Sequence, residues 1–101
     1  GAIRSLFGDG AERVMVSSTK SMHGHCMGAA GGFEAVLTAL AIREGRVPPT
    51  INVENLDEAC RGVDHVLGES RQADVDVAIS NSFGFGGTNG TLAIARWDAE
   101  P

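Results

Sequence analysis

The chain has 101 residues and 10.5 kDa, with 43% hydrophobic and 21% charged residues, which suits one soluble globular unit or a piece of one rather than two domains. A net charge of −5 and eight scattered basic residues exclude a binder of phosphate backbones, whose affinity comes from clustered Lys and Arg. The longest apolar-rich stretch, residues 33–42, is interrupted by Glu34 and Thr38 and falls far short of the roughly 20 residues a membrane helix needs.

A chain of this length buries only about 60–68% of the surface its unfolded form exposes, so its core is marginal unless further protein covers part of it. Two cysteines, Cys26 and Cys60, fit neither a disulfide framework nor a CxxC site, and the expected compartment is the reducing cytoplasm. The opening Gly1-Ala2-Ile3-Arg4 has no initiator Met and no basic segment leading into an apolar one. The expectation is a chain that starts mid-protein and carries no secretion signal.

Val14-Met15-Val16, framed by Arg13 and Ser17, reads as a short buried strand with Ser17-Ser18-Thr19-Lys20 as its polar exit. From about Cys26 the pattern turns helical, with Phe33, Val36, Leu37, Leu40 and Ala41 at helical spacing, and Arg43 and Gly45 as C-terminal signals. Gly28, Gly31 and Gly32 crowd the start of that helix although each interior glycine costs about 1 kcal/mol relative to Ala, which predicts close backbone packing. Pro48-Pro49 force residues 47–53 into an extended crossing segment. The polar stretch 54–71 predicts a short turn around Asp57-Glu58-Ala59-Cys60 and a short strand near Val66.

Residues 74–80 alternate, with Val75, Val77 and Ile79 on one face, and residues 91–97 alternate again, with Leu92 and Ile94 opposite Ala93 and Ala95. Between these two strands lies Ser82-Phe83-Gly84-Phe85-Gly86-Gly87-Thr88-Asn89-Gly90, richer in glycine and aromatics than an ordinary hairpin loop. The order strand, helix, strand, strand predicts an α/β fold with a mixed sheet and a buried glycine-rich helix.

Three segments could carry chemistry: residues 17–25, the helix start through Glu34, and the loop 82–90. A Walker phosphate cradle fails because Val14 and Thr19 stand where it needs glycine. The dinucleotide fingerprint fails at Asn89, and a strand follows instead of a helix. A metal site from His23, His25 and Cys26 is disfavoured, since the known ligand spacings are absent and a fourth ligand would have to come from afar. Neither metal nor cofactor is expected.

His25, at the mouth of a strand-to-helix connection, is either a satisfied structural residue or a neutral imidazole presenting an N–H to a developing oxyanion. Lys20 and Glu34 form either a solvated surface pair or a buried lysine with its carboxylate. The Gly-rich loop is either a tight turn with two core aromatics or a cradle of backbone N–H groups walled by Phe83 and Phe85.

Taken together, Ser17-Ser18-Thr19-Lys20-Ser21-Met22-His23-Gly24-His25, Gly28-Ala29-Ala30-Gly31, Val47-Pro48-Pro49-Thr50-Ile51-Asn52 and Asn81-Ser82-Phe83-Gly84-Phe85-Gly86-Gly87-Thr88-Asn89-Gly90 resemble the closing motifs of β-ketoacyl-[acyl carrier protein] synthases, nearest the type II elongating enzymes. The match runs in order over residues 3–97. The resemblance implies a thiolase-like fold, with residues 1–101 as an incomplete domain, the C-terminal part of the second half, in a protein that is a homodimer at full length. It implies a decarboxylating Claisen condensation in fatty-acid or polyketide elongation, with acyl carrier protein bearing malonyl and acyl groups as partner. It makes His25 one of two active-site histidines, Lys20 the active-site lysine, Glu34 its carboxylate partner, and Phe85 the gating residue whose N–H serves the oxyanion hole. Phe83, Gly84, Gly86 and Gly87 support that loop.

The nucleophilic cysteine and the other histidine belong to motifs preceding Gly1, so the piece alone is expected to be inactive and poorly folded or self-associated. Cys26 stands where the family usually carries an apolar residue, and Cys60 in a variable stretch, so neither takes the nucleophile's role. His23, where Thr is frequent, reads as structural or supporting. The alternative is a non-catalytic chain-length factor or pseudo-synthase subunit.

Overall fold

The computed structural model describes residues 1–97. Its elements in order are α1 (Ala2–Phe7), a 3₁₀ segment (Gly8–Arg13), β1 (Met15–Val16), α2 (Lys20–His23), a 3₁₀ turn (Met27–Ala29), α3 (Ala30–Glu44), β2 (Arg46–Val47), a 3₁₀ turn (Glu58–Cys60), β3 (Asp64–His65), β4 (Arg71–Gln72), β5 (Val77–Ser82) and β6 (Gly90–Ala95). They gather into two compact units, residues 1–24 with 48–71, and residues 25–47 with 72–97. Neither length nor composition announces that division.

The first unit is organised around Val66, the largest fully buried side chain among the described residues, at 1% exposure. β1 and β3 run parallel with Met15 opposite Asp64 and Val16 opposite His65. Just past β3, Val66 donates its N–H to the Val16 carbonyl at 3.0 Å and accepts from the Thr50 N–H at 2.8 Å. The extended segment after Pro48-Pro49 thus joins as a third, one-bridge strand beside Leu67, as the prolines require. The expected turn is present, with the Asp57 side chain accepting from the Ala59 N–H as an N-cap. α1 was not foreseen: it is six residues long, has no side-chain cap, and stops at Gly8 with φ 55°.

In the second unit β5 and β6 form an antiparallel hairpin, Val77 opposite Ala95 and Ser82 opposite Gly90, with α3 packed against both strands. The expected mixture of parallel and antiparallel pairing is present, but in separate two-stranded ladders, because β1 and β3 are only two residues each. α3 ends where Arg43 and Gly45 place its end, and Gly45 adopts φ 67° while its N–H reaches the Ala41 carbonyl. The last turn is secured from just past β6: Arg96 Nη2 donates to the Ile42 carbonyl at 3.1 Å and to the Val75 carbonyl at 3.4 Å.

Two expectations need correcting here. The packed side of α3 carries the buried or half-buried residues Ala30, Gly31, Glu34, Ala35, Leu37, Thr38, Ala41 and Ile42, whereas Phe33, Val36 and Leu40 of the anticipated stripe are exposed. Small residues allow the closer approach to the strands, so they outcompete the bulky ones for that face. β5 begins at Val77 instead of Asp74 and continues to Ser82, and its larger apolar side chains, Val77 and Ile79, are exposed while Ala78 and Ser80 are half-buried. Alternation identifies two faces but cannot say which one the helix covers.

Among the described residues the buried apolar side chains are Ala11, Ala30, Ile42 and Val66. Helix and hairpin therefore carry far more apolar surface than they bury against each other. A helix apolar nearly all round belongs to the interior of something larger.

Candidate active site

Lys20 is the first residue of α2, which is a single turn following the polar exit of β1. This exit is tied to the proline segment in four places. Ser17 Oγ donates to the Pro48 carbonyl, the Ser18 N–H to Thr50 Oγ1 at 2.8 Å, the Ile51 N–H to Ser21 Oγ at 2.9 Å, and Asn52 Nδ2 to the Ser21 carbonyl at 3.4 Å. Two of the four sequence motifs thus meet within one unit and fix the backbone under Lys20, whose side chain is half-buried. Glu34 is half-buried on the packed side of α3 and belongs to the other unit.

His25 is exposed and opens the second unit. Its Nδ1 accepts the Met27 N–H at 3.0 Å. An acceptor nitrogen carries no proton, so the neutral ring must hold its proton on Nε2 and present it as a donor. Met27 has φ 50°, a left-handed conformation uncommon outside glycine, and this aims its N–H back at the ring. Sequence reading passed over Met27 because its part is played by the backbone, for which an apolar side chain gives no signal.

Phe85 stands fully exposed in the loop between β5 and β6, and Phe83 is also exposed, so neither is a core aromatic among the described residues. The Gly87 N–H donates to the Gly84 carbonyl at 3.2 Å, closing a turn with Phe85 and Gly86 at its centre. Gly86 at φ 84° meets the demand of a type II turn for a positive φ at its third position. Gly84 is required for a different reason: a Cβ there would lie 2.7 Å from the Thr88 carbonyl oxygen. Asn89 Oδ1 accepts the Gly84 N–H at 3.2 Å and pins the base of the turn. Asn89 was legible in principle, since asparagine side chains commonly cap loops in this way. The Phe85 N–H has no acceptor among the described residues.

Gly31, in the first turn of α3, explains how these pieces share one end of the second unit. A Cβ on it would come 3.3 Å from Ser82 Oγ, at the last residue of β5 before the glycine loop. The expected close packing is therefore real at Gly31, while Gly28 and Gly32 face open space. The start of α3 therefore lies at the loop end of the hairpin. At the opposite end Asp76, Val77, Ala95, Arg96 and Trp97 line a shallow groove of about 400 Å³ that holds none of the candidate residues.

Among the described residues no three of His, Cys, Asp and Glu gather as metal ligands, and no helix is long and apolar enough to cross a membrane. The second unit offers two N–H donors, His25 Nε2 and Phe85 N, and the first unit by itself offers a lysine on an anchored turn. Donors of this kind stabilise an oxyanion or enolate.

Solved ketosynthases share this fold. A type II polyketide ketosynthase, determined in complex with its acyl carrier protein and bound to the hexaketide, superposes with a TM-score of 0.90 at 31% identity over 96% of this chain and 24% of its own. The ishigamide ketosynthase/chain length factor gives 0.87 at 38% identity over 96% of this chain and 23% of its own. The fold is thus the thiolase-like fold of ketosynthases.

The family "Beta-ketoacyl synthase, C-terminal domain" matches residues 1–54. The 3-oxoacyl-[acyl-carrier-protein] synthase 2 of Coxiella burnetii is 57% identical over 95 residues, 94% of this chain, and that of Synechocystis 56% identical over 96 residues, 95% of this chain. The chain belongs to the β-ketoacyl synthase family. It spans 23% of the length of these two relatives.

Proposed function

We propose that this chain is the C-terminal part of a 3-oxoacyl-[acyl carrier protein] synthase that catalyses decarboxylating Claisen condensation in fatty-acid or polyketide elongation. In that reaction an acyl group resides on a cysteine supplied by the preceding part of the protein. The malonyl thioester loses CO₂ as its C–C bond breaks, the enolate carbon attacks the acyl thioester carbonyl, and the cysteine thiolate leaves. Enolate charge develops on the malonyl thioester oxygen. A preorganised N–H aimed at such an oxygen contributes about 2.7–4 kcal/mol to transition-state stabilisation.

The observation that carries this reading is His25: Nδ1 is engaged by the Met27 N–H, which leaves Nε2–H as the donor the enolate needs. A second histidine, also from the preceding part, would share that oxygen. Lys20 and Glu34, each half-buried in its own unit, are assigned as the active-site lysine and its carboxylate. Phe85 gates the acyl-binding cavity and lends its N–H to the oxyanion of the tetrahedral intermediate, and Phe83, Gly84, Gly86 and Gly87 give that loop its shape. Acyl carrier protein delivers both substrates, the complete protein works as a cytoplasmic homodimer, and no cofactor enters the chemistry. With four buried apolar side chains among the described residues, the piece alone is inactive.

The test is to incubate the complete protein with acyl- and malonyl-[acyl carrier protein] and follow CO₂ and 3-oxoacyl product. Product formation is expected. A complete protein that binds carrier protein yet releases neither would instead be a non-catalytic chain-length factor or pseudo-synthase subunit.

A further inference from the structure

α2 is a four-residue helix, and a single turn of helix has too few hydrogen bonds to repay its own nucleation. Its backbone bonds are Met22 N–H and His23 N–H to the Thr19 carbonyl, at 2.9 and 3.3 Å, and Gly24 N–H to the Lys20 carbonyl at 2.8 Å. The half-buried ring of His23 lies along this turn with both nitrogens engaged. Nε2 is 2.8 Å from Thr19 Oγ1, on the residue before the helix, and Nδ1 is 2.7 Å from the Gly24 carbonyl oxygen, on the residue after it.

We propose that His23 is a positioning residue of the condensing site, its imidazole bridging Thr19 to Gly24 so that the turn carrying Lys20 is held at both ends; this rests on the synthase reading above. The proton assignment follows from the partners. A carbonyl oxygen only accepts, so Nδ1 carries a proton. In the neutral ring Nε2 then accepts the Thr19 hydroxyl proton, and in the charged ring it donates to the hydroxyl oxygen. The bridge survives in either state.

On the other side of the same turn, Ser21 Oγ accepts the Ile51 N–H at 2.9 Å and donates to the Ser18 carbonyl at 3.2 Å. Ser21 therefore fixes the turn to the proline segment, while His23 fixes its two ends to each other. Removing the ring takes away the side-chain bridge between the two ends and loosens the backbone around Lys20, while the contacts to the proline segment stay in place. A displacement of about 1 Å in a catalytic group can cost on the order of 10²-fold in rate.

The experiment uses the complete enzyme as wild type, His23→Ala and His23→Asn. Ring ¹⁵N spectra of histidine-labelled wild type are expected to show His23 protonated on Nδ1. His23→Ala is expected to lose roughly tenfold to a hundredfold in kcat for malonyl-[acyl carrier protein] decarboxylation, with KM changed little and the unfolding midpoint retained. His23→Asn, whose amide nitrogen can reach the Gly24 carbonyl, is expected to recover most of that loss. A ring protonated on Nε2 but not on Nδ1, a His23→Ala enzyme at full kcat, or an Asn variant no better than Ala would each overturn the proposal. A wild-type enzyme that does not condense would refute the synthase reading and with it the catalytic half of the proposal, while the spectrum would still decide the bridge.

Discussion

Replacing His25 by Ala in the complete synthase removes the Nε2–H donor while disturbing little else. The side chain is exposed, and the Met27 N–H it releases can bond to water, so folding stability should change by less than about 0.5 kcal/mol. With His25 in the proposed role the loss should fall on the transition state, where one missing oxyanion donor is worth about 2.7–4 kcal/mol, or 10²–10³ in kcat. Two amide variants sharpen the test. Gln can place its nitrogen near the Nε2 position, whereas Asn reaches only as far as Nδ1, so His25→Gln should recover part of the rate and His25→Asn none. Decarboxylation of malonyl-[acyl carrier protein] and condensation are to be measured separately, beside thermal unfolding. Full activity in His25→Ala, equal rates for the two amides, or a rate loss that tracks a fall in unfolding midpoint would refute the reasoning.

Gly86→Ala puts a Cβ on a residue at φ 84°, at a cost of about 1–2 kcal/mol confined to the loop, so condensation kinetics should suffer while the global denaturation midpoint barely moves. Gly31→Ala should be nearly neutral in denaturant titration, because a helix-propensity gain of about 0.5–1 kcal/mol offsets the 3.3 Å approach to a rotatable Ser82 hydroxyl. Gly31→Leu should destabilise by about 1–3 kcal/mol, since the packed face has no room for a larger group. Arg96→Met keeps the aliphatic stem but loses the donors to the Ile42 and Val75 carbonyls, and should cost about 1 kcal/mol in the same titration.

Local order in this chain could be read from local signals. β1, the C-terminal end of α3 at Gly45, the turn after Asp57 and the two hairpin strands all have residues whose own preferences demand those conformations. The packed face of α3 could not be read this way, because a helix apolar on most sides leaves the choice to its partner, and the strands favoured the small side chains of Ala30, Gly31 and Ala41. α1 escaped notice for want of a capping residue and of enough length to show a period. The division into two units arises from bonds such as Val66 N–H to Val16 and Thr50 N–H to Val66, which join distant stretches and leave no trace in any short window.

The candidate site was read from particular side chains, His25, Lys20 and Phe85, and from the loop glycines, of which the turn geometry demands Gly84 and Gly86. Hidden were the groups that act through the main chain or hold others in place. Met27 contributes an N–H and an uncommon φ, and Thr50 and Ser21 contribute the oxygens that fasten the lysine turn. Their residue types are ordinary, and only coordinates reveal their work.

The fastening of residues 17–21 to residues 48–52 has a practical corollary for anyone building chimaeras between synthases. A graft that imports the lysine motif alone would meet a foreign proline strand lacking the matching hydroxyl and amide positions, and the transplanted lysine would sit on a loosened floor. The two stretches are separated in sequence yet form one transferable cassette, and should be exchanged together.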